Sequence, residues 1–354
     1  MKKVYINGMG CISAQPTFDS IFLESAVVNT TDNVLSVVAP PYKDFISPAA
    51  SRRMGKGVKN GIVAAALALK EAGDPVLDAI ITGTGMGCIE DSEKFLIGIL
   101  DNQEEFLTPT SFIQSTHNTV GGQIALGLQC KAYNFTYVNG GNSFESGLLD
   151  ASMQLTSGEA NTILAGGIDE SAAFTINFFK VAGLIKKSEE QPFALLEATT
   201  AGSVFGEGAT FFTLENKKKS STYAELVAVN ICNSLSVSEA AQEVVAFIQK
   251  NNYALSNIDA VVLGYSGDVV FDEYYKALSV GLFKEIPQVY YKHLSGEYHT
   301  ASAFGLWMAA KILKTQGFPG MVCANTSRRE HYKTILLYNQ FRGEDHSFIL
   351  LRQC

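Results

Sequence analysis

Residues 137–151 read Tyr-Val-Asn-Gly-Gly-Asn-Ser-Phe-Glu-Ser-Gly-Leu-Leu-Asp-Ala, which predicts the end of a strand, a glycine pair and the start of a helix. The strand is predicted over Asn134–Val138, and we call the junction at Asn139–Ser143 the elbow. Such a junction presents a nucleophile well, because the positive end of the helix dipole lowers the pKa of a thiol placed there. The centre of the elbow, however, is Gly141, and the stretch contains no cysteine.

Composition limits the function classes that need to be considered. The chain of 354 residues is long enough for one large α/β unit or two fused halves. Only 18% of the residues are charged, which favours a surface partly hidden in a dimer, and the net charge of −8 argues against general nucleic-acid binding. The six cysteines show no metal-ligand spacing, so we expect a reduced, cytoplasmic protein without a metal site. No apolar run is long enough to predict a membrane span.

The sequence repeats itself about half a chain length apart. Asp-Ala-Ile-Ile-Thr-Gly at 78–83 recurs as Asp-Ala-Val-Val-Leu-Gly at 259–264, and each copy follows a helix rich in Ala and Val. Each copy also begins an apolar strand that runs towards a glycine. A later strand at 161–165 is paired with the apolar run at 321–324, and a closing strand at 211–215 with that at 348–352.

The repeated order of elements predicts an α/β fold with a layered αβαβα architecture built from two duplicated βαβ-rich halves. We place the halves at 1–216 and 223–354, because apolar residues disappear between them. The predicted strands are apolar throughout, as strands covered on both faces require. Helices predicted over 147–157 and 301–314 are rich in small and apolar residues, so we expect both to be buried at the centre.

Five fragments of the first half occur in the order and at the spacing of one known family, and further motifs of the second half extend the match nearly end to end. The five fragments are Lys3–Gly10, Ser51–Lys56, Gly83–Gly87, Ala165–Asp169 and Phe205–Ala209. Through them the sequence resembles the β-ketoacyl synthases of the thiolase superfamily. The resemblance implies a thiolase-like fold and a pocket built on the elbow.

The resemblance also implies which side chains have been lost. The family uses a cysteine at the elbow to take the acyl group and two histidines from the second half to stabilise the reacting oxygen. The cysteine position falls on Gly141, and the first histidine position falls near Tyr265. The second histidine position falls on Glu297, although Lys292 of the same motif is retained. We therefore expect no condensing activity from this chain alone. If only the nucleophile is missing, we expect Gly141→Cys to restore acylation but not condensation.

Further positions are assigned by the same resemblance. The loop at 340–345 resembles the family's gating loop, with Phe341 as the gating aromatic, Gly343 retained and Arg342 in place of a glycine. Segments 114–118 and 134–138 are expected at a dimer interface. The complete set of predicted pocket or gate residues is Asn142, Ser143, Phe112, Phe144, Phe341 and Gly343.

The resemblance implies a degenerate member of chain-length-factor type, which pairs with an active ketosynthase in a fatty-acyl, polyketide or aryl-polyene-type pathway. In that role the chain needs no cofactor of its own, since the acyl group arrives on the phosphopantetheine arm of an acyl carrier protein. One alternative is an active acyltransferase that uses an unrecognised thiol, or Ser143 with one of His117, His293 and His299 as its base. A second alternative is a non-catalytic homodimer that binds acyl carrier protein.

Overall fold

The computed structural model describes residues 2–18, 24–107 and 109–354. The strands are β1 Val4–Ile12, β2 Ala79–Gly83, β3 Tyr133–Tyr137, β4 Thr162–Asp169, β5 Gly208–Glu215, β6 Ala224–Asn233, β7 Ala260–Leu263, β8 Gln288–Tyr290, β9 Thr334–Phe341 and β10 Asp345–Arg352. The helices are α1 Pro48–Ser51, α2 Lys56–Glu71, α3 Ile89–Asp101, α4 Pro109–Gln114, α5 Thr119–Leu128, α6 Ser143–Ser157, α7 Ala173–Val181, α8 Val237–Lys250, α9 Glu273–Val280, α10 Lys292–Ser295 and α11 Ser302–Thr315. Within these ranges, every helix is too short or too polar to cross a bilayer.

The order of the strands confirms the predicted duplication. Neighbouring strands follow the order β3-β2-β4-β5-β1-β6-β10-β9-β7-β8. The last five strands repeat the pattern of the first five in reverse, so the two halves are related by a pseudo-twofold arrangement. The halves join where β1 pairs antiparallel with β6, with Val4 opposite Leu226. The predicted limits of the halves, 1–216 and 223–354, stay a prediction.

The two copies of the Asp-Ala motif make the same contacts. The Asp78 carboxylate accepts hydrogen bonds from the backbone N–H groups of Asn161 at 2.7 Å and Thr162 at 3.1 Å. The Asp259 carboxylate accepts the equivalent bonds from Lys333 at 2.8 Å and Thr334 at 2.9 Å. Each aspartate therefore ties the start of a central strand, β2 or β7, to the strand beside it. The partner of β4 in the second half is consequently β9.

The predicted strand at 321–324 is therefore wrong. Residues Gly320–Val322 form a single 3-10 turn after Pro319, and Cys323 makes only an isolated bridge to Val289. The prediction failed because a run of four apolar residues forms a turn here, with only Val322 buried, and so short a run does not distinguish a turn from a strand. The closing strands were placed correctly, since β5 and β10 contain the predicted segments.

Helices α6 and α11 form the central layer. Helix α6 contacts β2 and β4 as well as β6, and α11 contacts β9 as well as β5, so each helix touches both halves. Helices α2 and α5 cover the outer face of the first half, and α8 and α9 cover that of the second. The layered αβαβα fold is thus confirmed. Helix α11 is buried nearly all round, whereas α6 leaves Met153 62% exposed.

Candidate active site

The elbow has the predicted local structure. Strand β3 ends at Tyr137, residues Gly140–Asn142 make one 3-10 turn, and α6 begins at Ser143. Gly140 has a φ of +54°, which favours glycine, while Gly141 and Asn142 are buried. The backbone is therefore arranged as it would be to present a nucleophile at the start of a buried helix.

Gly141 has no room for a side chain. An ideal Cβ built on it would lie 2.3 Å from Cβ and 2.8 Å from Cγ of Phe341. Non-bonded carbon atoms do not approach each other this closely, so Phe341 fills the space that a cysteine side chain would need. The expectation that a cysteine at 141 would be acylated consequently fails for the single substitution, because Phe341 would first have to move.

The helix end at the elbow is already occupied by a carboxylate. The backbone N–H of Gly141 donates to Asp345 Oδ2 at 2.7 Å, and the Asn142 side-chain amide donates weakly to Asp345 Oδ1 at 3.4 Å. This is the position where a helix N-terminus favours negative charge. Sequence reasoning missed Asp345, because its only signal was an acidic residue two positions after Gly343.

Ser143 is not placed to act as a nucleophile. Its side chain is buried, its hydroxyl donates to the carbonyl of Gly140 at 2.7 Å, and it accepts from the backbone N–H of Asn139 at 2.8 Å. Its proton therefore goes to a backbone carbonyl, whereas activation requires a general base. The hydroxyl instead closes the turn that leads into α6.

We expect Ser143→Ala to destabilise the chain by about 1–2 kcal/mol, since two partly buried hydrogen bonds to the backbone are lost. Chemical denaturation would measure this loss. Ser157→Ala, at the exposed end of the same helix, is the control and should change stability by less than about 0.5 kcal/mol. An acyl adduct that forms on the unmodified chain and disappears in Ser143→Ala would contradict this structural role.

Residues other than histidine occupy the two positions that the resemblance assigns to the family's histidines. Tyr265 is buried and packs against the ring of Tyr275 with centroids 5.1 Å apart, and burial raises its pKa to about 12. Lys292 is fully buried and forms an ion pair with Glu297 at 2.7 Å. Burial raises the pKa of Glu297, and Lys292 opposes this effect. A neutral phenol and an ion pair thus stand at the two positions that the resemblance assigns to imidazoles.

The three candidate histidines do not replace the missing pair. The ring of His299 packs on Phe341 with centroids 4.5 Å apart, and burial lowers its pKa. His293 stacks on Tyr290 at 3.9 Å, and burial lowers its pKa to about 3, which keeps the ring neutral. His117 is exposed beside Gly87. Among the described residues, none of these rings is a hydrogen-bond partner of Ser143.

In the loop at 340–345, which resembles the family's gating loop, an arginine side chain covers two aromatic rings. Arg342, which stands in place of a glycine, has a φ of +53° and lies over the rings of Phe341 at 4.9 Å and Phe179 at 5.5 Å. Beside it lies a cavity of about 20 Å³, lined in part by Glu297 and Asp268. Such a cavity holds about one water molecule and no acyl chain. An acyl tunnel therefore does not open at this point of the chain.

The other predicted pocket residues are spread over different environments. Phe144 is buried and packs against Phe212 in the central core, with centroids 5.7 Å apart. Phe112 is 57% exposed on α4 and contacts Phe95. Gly343 has a φ of +69° in the turn between β9 and β10. The pocket or gate roles of Asn142, Phe112, Phe144, Phe341 and Gly343 stay predictions.

Solved structures with the same architecture were found at low sequence identity. The ishigamide ketosynthase/chain length factor is 17% identical with a TM-score of 0.81, covering 100% of this chain and 99% of the other. The ketosynthase (ApeO) in complex with its chain length factor (ApeC) from Xenorhabdus doucetiae is 14% identical with a TM-score of 0.77, covering 100% and 98%. A type II PKS acyl-carrier protein in complex with its ketosynthase (AntDE:AntF) is 16% identical with a TM-score of 0.76, covering 100% of both chains. At these identities the likeness establishes the fold.

Sequence comparison identifies the family directly. No curated protein matches the sequence. The profile of the family described as "Beta-ketoacyl synthase, N-terminal domain" matches residues 33–220, more than half of the chain. The matched region includes the elbow, β4 with its Ala-Gly-Gly-Ile-Asp motif and the glycine turn before β5. The chain therefore belongs to the β-ketoacyl synthase family.

Proposed function

We propose that this chain is a ketosynthase-like subunit without condensing activity, which pairs with an active ketosynthase and helps to shape the acyl tunnel. One observation carries the proposal: Gly141 has no side chain, is packed against Phe341 and donates its N–H to Asp345. Thioester exchange needs a nucleophile, and condensation needs groups that stabilise developing negative charge. The elbow offers neither.

The pathway and the carrier follow from the relatives that share the fold. Two of the solved structures named above contain a chain length factor, and one contains an acyl carrier protein. We therefore propose a fatty-acyl or polyketide pathway, of aryl-polyene type among the possibilities. The acyl carrier protein would deliver its phosphopantetheine-bound substrate to the partner's cysteine, and this chain would bind no cofactor of its own.

An exposed sheet edge supports the proposed pairing. Strand β3 lies at the end of the sheet, so one side of its backbone is unpaired. Its three aromatic residues, Tyr133, Phe135 and Tyr137, form a continuous row of ring contacts, and Phe135 is 46% exposed. Leu126 and Leu128 of α5 extend the apolar surface. An exposed edge strand that carries aromatic side chains is a surface that proteins normally cover, so it suits a partner with a similar edge.

Phe135→Asp is expected to weaken pairing by at least about tenfold, because a charge placed on a dehydrated edge costs more than about 1.4 kcal/mol. Co-purification with a cysteine-bearing ketosynthase from the same source, followed by measurement of the dissociation constant, tests this. Val280→Asp replaces another exposed apolar residue, on α9 and away from the edge strand, and is the control. Equal pairing of both variants would place the interface elsewhere.

Intact mass spectrometry tests the catalytic part of the proposal. The chain alone and the chain with its ketosynthase partner would be incubated with malonyl- and acyl-loaded carrier protein. We expect an acyl adduct on the partner and none on this chain. A stable adduct on this chain contradicts the proposal and favours the acyltransferase alternative. A stable homodimer that binds carrier protein but no ketosynthase favours the binding-module alternative.

A further inference from the structure

Each of the two central helices receives a carboxylate from the other half of the molecule. Asp169, at the end of β4, accepts hydrogen bonds from Thr300 N–H at 3.0 Å and Thr300 Oγ at 2.9 Å, just before α11. Asp345, at the start of β10, accepts from Gly141 just before α6. The two contacts are not equivalent positions of the repeat, since β4 corresponds to β9 and not to β10, but each one joins a carboxylate of one half to the turn before a central helix of the other. Both turns favour negative charge, and in both the charge is supplied from within the chain.

The Asp345 carboxylate fits a space that only glycines leave open. An ideal Cβ on Gly140 would lie 2.7 Å from Asp345 Oδ2, and one on Gly141 would lie 3.2 Å from the same atom. Any other residue at position 140 would therefore push against the carboxylate, and its φ would be strained as well. The sequence suggested that the glycine pair marks the position of a lost nucleophile. In the structure, the same pair also leaves the space that the Asp345 carboxylate occupies.

We propose that Asp345 is a built-in anion that fills the place where an acyl carbonyl or carboxylate oxygen would bind at the elbow. A carbonyl oxygen needs a free N–H donor, and the Gly141 N–H is already committed at 2.7 Å. A carboxylate would in addition be repelled by the like charge of Asp345. The elbow is therefore closed to acyl ligands by Asp345 as well as by the loss of the thiol. This inference rests on the proposed function only in assigning the elbow as the former acyl site.

Chemical rescue tests whether the position is an anion site. Asp345→Ala should lower the melting temperature by about 2–4 °C, because a partly buried N–H loses its acceptor. Sodium acetate should restore much of this loss in a saturable manner, whereas sodium chloride at equal ionic strength and pH should not. Asp345→Asn, whose amide oxygen can still accept from Gly141, should melt within about 2 °C of the unmodified chain. Equal effects of acetate and chloride on Asp345→Ala would overturn the proposal.

Asp259→Ala is the matched control for the rescue. Asp259 also accepts hydrogen bonds from two backbone N–H groups, those of Lys333 and Thr334, but neither donor belongs to a glycine pair. Its loss should lower the melting temperature too, and acetate should have no more effect than chloride. Rescue of Asp259→Ala by acetate to the same extent as Asp345→Ala would show a general salt effect and overturn the assignment.

A thiol placed at the elbow reports the charge of Asp345 by a second route, which stays informative if Asp345→Ala does not fold. The background is Gly141→Cys with Phe341→Ala, which removes the ring that blocks position 141. Alkylation of Cys at 141 as a function of pH, read by peptide mass spectrometry, should give a thiol pKa about one unit lower when Asp345→Asn is added. Equal pKa values in the two backgrounds would contradict a charged occupant of the elbow.

These measurements separate the inference from the proposed function. Rescue by acetate and the shift in thiol pKa require only the folded chain, with no partner and no carrier protein. Failure to pair with a ketosynthase would therefore reject the proposed function and leave the anion site standing. Failure of the rescue in a chain that still pairs would reject the anion site alone.

Discussion

Gly141→Cys is expected to destabilise the chain by about 3 kcal/mol and to leave it without an acylated thiol. The physical reason is packing, since the new Cβ would lie 2.3 Å from Cβ of Phe341. Phe341 is buried and in contact with the ring of His299 and the guanidinium of Arg342, so it has little room to retreat. The helix dipole still acts at this position, but the carboxylate of Asp345 opposes the formation of a thiolate beside it.

Chemical denaturation measures the stability loss, and intact mass after incubation with acyl-loaded carrier protein measures acylation. Gly98→Cys is the matched control, because a Cβ at Gly98 in α3 meets no atom within 4 Å. That variant should keep nearly the stability of the unmodified chain. Efficient acylation at position 141 in the single variant would show that Phe341 and Asp345 move away from the elbow at little cost. Condensation by that variant would show that the histidine positions were misassigned.

The features predicted correctly from sequence are those written in short segments. The elbow and the motif shared by 78–83 and 259–264 each depend on a few neighbouring residues. The duplicated order of the strands followed from the same local patterns, because each strand is bounded by a helix and a glycine turn. The error at 321–324 is of the same local kind, since a short apolar run alone does not make a strand.

The features that were missed depend on contacts between distant segments. Asp345 meets Gly141 across a separation of 204 residues, so no pattern around either residue reveals the bond. The collision at Gly141 likewise comes from Phe341, which lies at the end of β9 in the other half. Sequence showed that the nucleophile was absent, whereas only the packing shows that its place has been taken.

Lys292→Met is expected to destabilise the chain by about 3–5 kcal/mol, the largest effect of a single substitution that we predict. Lys292 is fully buried. Its ammonium lies 2.7 Å from Glu297 Oε2 in the core beside the predicted second histidine position. Removing the lysine leaves a buried carboxylate without its partner. The double variant Lys292→Met/Glu297→Gln carries no unpaired charge, so it should recover more than half of the loss.

The loss in Lys292→Met should grow as the pH rises. Burial already raises the pKa of Glu297 and Lys292 lowers it, so removing Lys292 raises it further. The folded state then holds a proton that the unfolded state releases. The stabilisation that this proton gives the folded state is fully present below the pKa of a glutamate in the unfolded chain, about 4.3. It is lost as the pH rises through the raised pKa of Glu297 in the folded state. The difference from the unmodified chain should thus be smaller near about pH 5 than near about pH 8.

Denaturation at the two pH values measures this dependence, and Lys94→Met is the matched control. Lys94 pairs with Glu90 at the same 2.7 Å, but both side chains lie at the surface, where such a pair contributes about 0.5 kcal/mol or less. Equal losses in the two single variants would mean that the Lys292–Glu297 pair is solvated in solution. A pair that is dry instead makes the second histidine position a fixed structural element of the core, in which the Glu297 carboxylate cannot take the role of an imidazole that stabilises negative charge on a reacting oxygen.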